Sequence, residues 1–218
     1  MNRHPICTLL AAAVVAAAPL GAAQASEAAD KAWQFRVFVD DKEVGTHVYR
    51  LSEREGRRQL VTEADFEYKA LFLTLYDYEH RNEETWEGDC LAEIRSRTDD
   101  NGELYRVEGE RRDDFFLVDG AAGEEKLPAC VMSFAYWNPT FLQEPRLLNS
   151  QNGDYLEVDV SEPTPDTRVV RGEPVPALKY RLKAGKLDLA LWYAQENREW
   201  LALESITESG RVLRYELL

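Results

Sequence analysis

The 218-residue sequence predicts an all-β, mainly antiparallel fold: one curved meander forming an open or closed barrel, with a short Pro-bracketed helical or irregular segment near 128–146. Two observations carry this. Apolar residues recur with period two, the alternation of a half-buried strand, and not with the 3.6-residue period of a helix. Turn residues interrupt them at short intervals, so most neighbours join as hairpins. Roughly a dozen strands result, and a sheet of that size curls or splits, because flat open sheets rarely exceed about ten strands. A two-sheet β-sandwich is the alternative.

The elements follow in order. Residues 33–39 alternate, Asp40-Asp41-Lys42-Glu43 turns, and 44–51 returns. Residues 58–68 place Leu60, Thr62, Ala64, Phe66 and Tyr68 on one face. Residues 71–86 form one long extended stretch whose face carries Phe72, Thr74, Tyr76, Tyr78, His80 and Trp86, with a bend or bulge expected in so long a strand. Residues 90–97 and 104–111 flank Asp99-Asp100-Asn101-Gly102, a hairpin turn because Asn-Gly accepts positive φ. A short strand over 115–118 follows. Pro128, Pro139 and Pro145 then bracket large apolar side chains without alternation, which excludes a long helix and leaves one or two helical turns. Strands resume over 155–160, 167–171, 178–182, 187–193, 200–207 and 212–217, with turns at 163–166 and 172–176.

The first 25 residues read as a secretory signal. Arg3 precedes an apolar run from Ile6 to Ala18, Pro19-Leu20-Gly21 breaks it, and Ala23 and Ala25 supply the small residues of a cleavage site. Cleavage after Ala25 would leave a single β-rich domain over 26–218, periplasmic or secreted. The apolar run is shorter than the ~20 residues a membrane-spanning helix needs, so no transmembrane anchor is expected. Cys7 leaves with the leader, and Cys90 and Cys130 remain. In an oxidising compartment that pair is expected to form a disulfide closing a loop of about 40 residues, worth about 3–4 kcal/mol. Two separate buried thiols are the alternative.

Acids outnumber bases 40 to 26, and loss of Arg3 takes the net charge from −14 to −15. This excludes a nucleic-acid partner, whose phosphates need a basic face. It also argues against charge-driven docking on an anionic membrane.

Three stretches occur together: 35–47, beginning Phe35-Arg36-Val37-Phe38; 133–139, Ser133-Phe134-Ala135-Tyr136-Trp137-Asn138-Pro139, running on to 147–153; and 187–193, continuing through Trp200 to Leu217. In this order they resemble an uncharacterised exported bacterial family, domain of unknown function 6134, over nearly the whole mature chain. The closing strands are also similar to the uncharacterised family 3108. The resemblance implies a β-rich exported domain linked to lipid or envelope metabolism. It brings no assigned activity and no site residues.

No motif identifies a catalytic centre, cofactor or metal site. His47 and His80 lie on predicted strands without a metal-ligand spacing, although Glu79, Glu83 and Glu84 surround His80 in sequence. No serine sits in a Gly-x-Ser-x-Gly turn, and no Gly-rich loop cradles phosphate. Paired carboxylates carry no information among so many acids, and Asp65, Asp77 and Glu204 stand out only by their apolar surroundings. The aromatic set is the stronger signal. Core packing is its ordinary explanation, and an apolar cavity is the functional one, because a small barrel holds a single ligand. On that reading Tyr76, Tyr78, His80, Tyr136, Trp137, Asn138 and Trp192 line a ligand site, and the proline-rich segment caps it. The function expected is non-catalytic binding or carriage of an apolar or amphiphilic molecule such as a lipid. The alternatives are an envelope lipid- or glycan-modifying enzyme using His47 or His80, and an envelope assembly factor.

Overall fold

The computed structural model describes residues 30–70, 73–207 and 210–218. The expected leader with Cys7, and Phe72, lie outside them.

Alternating side chains build the first half as sequential hairpins: β1 (Lys31–Val39), β2 (Lys42–Arg54), β3 (Arg57–Ala70), β4 (Leu73–Glu87), β5 (Cys90–Asp100), β6 (Glu103–Arg111), β7 (Phe115–Gly120) and β8 (Gly123–Pro128). The second half adds β9 (Arg146–Leu148), β10 (Tyr155–Glu157), β11 (Asp159–Val160), β12 (Thr164–Val170), β13 (Glu173–Ala184), β14 (Leu187–Ala194), β15 (Trp200–Ile206) and β16 (Val212–Leu217). The main sheet runs β11-β13-β14-β15-β16-β1-β2-β3-β4-β5-β6-β7-β8, with β12 added to β13, while β9 and β10 pair separately. The two meanders join where β16 lies antiparallel to β1, with Tyr215 opposite Val37. Among the described residues β8 and β11 do not pair, so the curved sheet is an open barrel and not a sandwich.

The chain between β8 and β11 fills the opening. Phe141, Leu147 and Leu148 are fully buried in the same core as Trp200, Phe35 and Trp86. The segment bonds to both halves of the sheet: Leu91 N donates to Val131 O and Ala121 N to Asn152 O. From the other side, the Tyr193 hydroxyl donates to Tyr136 O at 2.8 Å. The segment therefore satisfies its buried backbone without a long helix, and holds only one 3-10 turn, Pro139–Gln143.

The expected disulfide is present: Cys90 and Cys130 are bonded, with Cα atoms 4.9 Å apart. It ties the start of β5 to the start of the filling segment. The Asn101-Gly102 turn also forms, with φ of 55° and 92°.

Three local expectations are corrected. The sequence predicts a turn over 163–166, but Thr164 to Asp166 open β12, an edge strand, the position in a sheet that tolerates proline. The turn expected over 172–176 is confined to Arg171-Gly172. Pro174 and Pro176 sit in β13, before β14 begins to pair at Ala177. A strand not expected from sequence, β8, carries Glu124, Glu125 and Lys126 on the sheet's edge, where charge discourages pairing with another chain.

Candidate functional site

Three consecutive rows of inward-facing residues cross the centre of the sheet. His47, Ala64, His80 and Thr98 lie opposite one another on β2 to β5. The next row is Tyr49, Thr62, Asn82 and Ser96, and the third holds Leu60 beside Glu84. His47, Thr62, His80, Asn82, Glu84, Ser96 and Thr98 are all buried. A polar patch thus replaces apolar packing in the middle of the barrel wall.

A cavity of about 80 Å³ lies against this patch, lined by His47, Tyr49, Thr62, His80, Asn82 and Glu84 on the wall side. Phe134, Tyr136 and the Asn149–Gln151 turn line it from the filling segment, and half-buried Leu187 and exposed Gln151 stand at its mouth. Among the described residues no Lys or Arg lines it.

Hydrogen bonds set the chemistry of each group. Thr98 Oγ1 donates to Gln151 O at 3.1 Å, so towards His80 it accepts. His80 Nδ1 therefore carries the proton in their 2.9 Å contact, and Nε2 presents a lone pair to Ser150 Oγ, 3.5 Å away. Burial pushes the His80 pKa down to about 4, which keeps the ring neutral. His47 is held well below the usual histidine range by burial and by His80, and its Nδ1 lies 3.1 Å from the Tyr215 hydroxyl and 3.3 Å from that of Tyr49.

Glu84 accepts from Asn82 Nδ2 and from Trp86 Nε1, each at 3.0 Å. Burial raises its pKa, while the bonds from Asn82, Ser133 and Trp86 oppose that rise. Three cavity-lining residues keep a buried polar atom without a partner: His47 Nε2, Thr62 Oγ1 and Asn82 Oδ1. Unsatisfied buried atoms are rare in folded proteins, and three of them surround this one cavity.

The sequence-predicted residues divide. His80 and Tyr136 line the cavity. Tyr78 continues the His80 face, with its ring stacked on Phe66 at 5.3 Å. Tyr76 is partly exposed at the rim and donates to Asp100 Oδ1 at 2.7 Å. Trp137 packs edge-on to Trp86, and Asn138 caps the 3-10 turn while donating to Asp89. Trp192 lies apart, on the opposite face of the sheet with Ala177, Leu201 and Ala202. There its Nε1 donates to Asp166 on β12 at 2.7 Å. Asp65 and Asp77 are exposed, and Glu204 pairs with Arg168.

From sequence, Thr62 stands only as a strand-face residue, and residue type does not single out Asn82 or Glu84. The available signal was β4 itself: from Glu79 to Thr85 every residue is polar, although the strand is paired on both sides. One face of such a strand must bury polar groups.

The profile of a family described as "Domain of unknown function (DUF6134)" matches residues 35–218. The chain belongs to this family. Among solved structures, the DUF6134 chain is similar to a β-barrel-like protein of domain of unknown function DUF1849 from Brucella abortus. That match has a TM-score of 0.59 at 10% identity, covering 86% of this chain and 94% of the other. At that identity the likeness shows the fold alone. No curated protein matches. Among the described residues of the DUF6134 chain, no helix is long and apolar enough to cross a membrane.

Proposed function

We propose that the protein is a non-catalytic binding or carrier protein of the cell envelope, released after Ala25 as one domain, that holds an apolar or amphiphilic molecule such as a lipid. The observation that carries this reading is the polar cavity with three unpartnered buried atoms inside an otherwise aromatic barrel. At about 80 Å³ it is smaller than the ~300–1,000 Å³ of pockets that enclose a whole ligand. It suits the polar end of an amphiphile, with the apolar remainder leaving past Phe134, Tyr136 and Leu187. The disulfide agrees with an oxidising compartment.

The test is native mass spectrometry of the protein purified from the periplasm, under gentle and then denaturing conditions. A reproducible extra mass that leaves on denaturation is expected. A bare mass, with no uptake after incubation with an envelope lipid extract, would overturn the reading.

One observation favours a second reading. Ser150 Oγ faces the unprotonated Nε2 of a neutral His80, the arrangement a serine nucleophile requires. An envelope lipid- or glycan-modifying hydrolase would use it. Labelling of Ser150 by a fluorophosphonate, lost in His80→Ala, would support that alternative.

A further inference from the structure

We propose that the cavity recognises a primary ammonium group, so that the bound molecule presents an amine as its polar end. This deepens the binding reading and rests on the same cavity.

The first support is charge. Among the described residues Glu84 is the only acidic one lining the cavity, and neither Lys nor Arg accompanies it. Burial raises the Glu84 pKa, and the bonds its oxygens accept from Asn82, Trp86 and Ser133 oppose that rise and favour the ionised form, which only accepts. A buried carboxylate without a counter-charge is costly. The two histidines do not supply that charge, since burial holds both neutral.

The second support is the pattern of spare acceptors. Asn82 spends its Nδ2 on Glu84, which leaves Oδ1 as the unpartnered atom. Thr62, directly opposite Asn82 on β3, has an unpartnered Oγ1. Glu84 lies one inward step further along β4. An ammonium has three donors and no acceptor, and this corner offers the carboxylate, an amide oxygen and a hydroxyl oxygen.

The third support is exclusion. An anionic head would meet Glu84 with no cation to offset it. A neutral hydroxyl would leave the carboxylate uncompensated. A quaternary ammonium has the charge but no N–H to give to Asn82 and Thr62.

The experiment is calorimetric titration of the purified protein with ethanolamine, ethylene glycol and choline. Ethanolamine and ethylene glycol differ by one amine for one hydroxyl, and choline keeps the charge without N–H donors. Saturable 1:1 binding of ethanolamine is expected, at least tenfold tighter than either comparison. Glu84→Gln should abolish that preference, and Thr62→Val should weaken ethanolamine several-fold. If Glu84→Gln does not fold, Thr62→Val still reads the same corner. Equal binding of ethanolamine and ethylene glycol, or no saturable heat with ethanolamine at millimolar concentration, would overturn the inference. A co-purifying molecule without an amine would also overturn it, yet would leave the binding reading standing.

Discussion

His80 donates through Nδ1 to Thr98 Oγ1 at 2.9 Å across β4 and β5, and Thr98 hands its own proton to the carbonyl of Gln151. One strand-to-strand contact thus fixes the tautomer of a buried imidazole and anchors the turn at the cavity mouth.

The His80 pKa of about 4, against 6.5 for an ordinary histidine, makes stability depend on acid. The unfolded chain binds the proton first, so this contribution is complete above pH 6.5 and is lost as pH falls towards 4. The loss is about 3 kcal/mol for His80 alone, and His47 acts in the same direction. Glu84 acts oppositely: its raised pKa gives a contribution present below 4.5 that declines as pH rises. Urea unfolding at several pH values should show His80→Asn flattening the profile between pH 6.5 and 4. An unaltered slope would refute the buried, neutral ring.

The Cys90–Cys130 bond closes a separation of 40 residues. Its removal in Cys90→Ser/Cys130→Ser should cost about 3–4 kcal/mol, read as a lower denaturation midpoint. Because Leu91 N also bonds Val131 O beside it, hydrogen exchange should rise first in 129–138.

Gly45 has φ +155°, and a Cβ there would lie 1.9 Å from the backbone oxygen of Asp65 on β3. No flexible side chain can yield at that contact. Gly45→Ala should therefore destabilise by about 2–4 kcal/mol, measured by chemical denaturation. Gly56→Ala, whose Cβ meets nothing within 4 Å, isolates the cost of positive φ alone.

Trp192→Ala separates packing from binding. Trp192 is buried beneath β12, with Arg168 4.1 Å from its ring and Asp166 on its indole nitrogen. Its loss should cost about 3–5 kcal/mol while leaving ligand uptake unchanged. Reduced uptake in a variant that remains folded would return Trp192 to the site.

The strand faces were legible because period two is a local property. Leu60, Thr62, Ala64 and Phe66 share the buried face that alternation assigns them. The hairpin order of the first half followed from its turns, and the pairing of Cys90 with Cys130 from the cysteine count. The cavity was only partly legible: His80 and Tyr136 stood out by residue type, whereas Asn82 and Glu84 did not. Alternation puts residues 82 and 84 on the face of Tyr78, His80 and Trp86, but it does not say that polar side chains on that face meet a cavity.

Long-range order belongs to the folded molecule. The contact of His47 with Tyr215 spans 168 residues and exists only because β16 docks on β1. Ser150 and Gln151 reach Ser96 and Thr98 only because the filling segment enters the open barrel. No local propensity encodes those meetings. They follow from burying one continuous aromatic core, Phe35, Trp86, Phe141 and Trp200 together, which no single strand or hairpin can enclose.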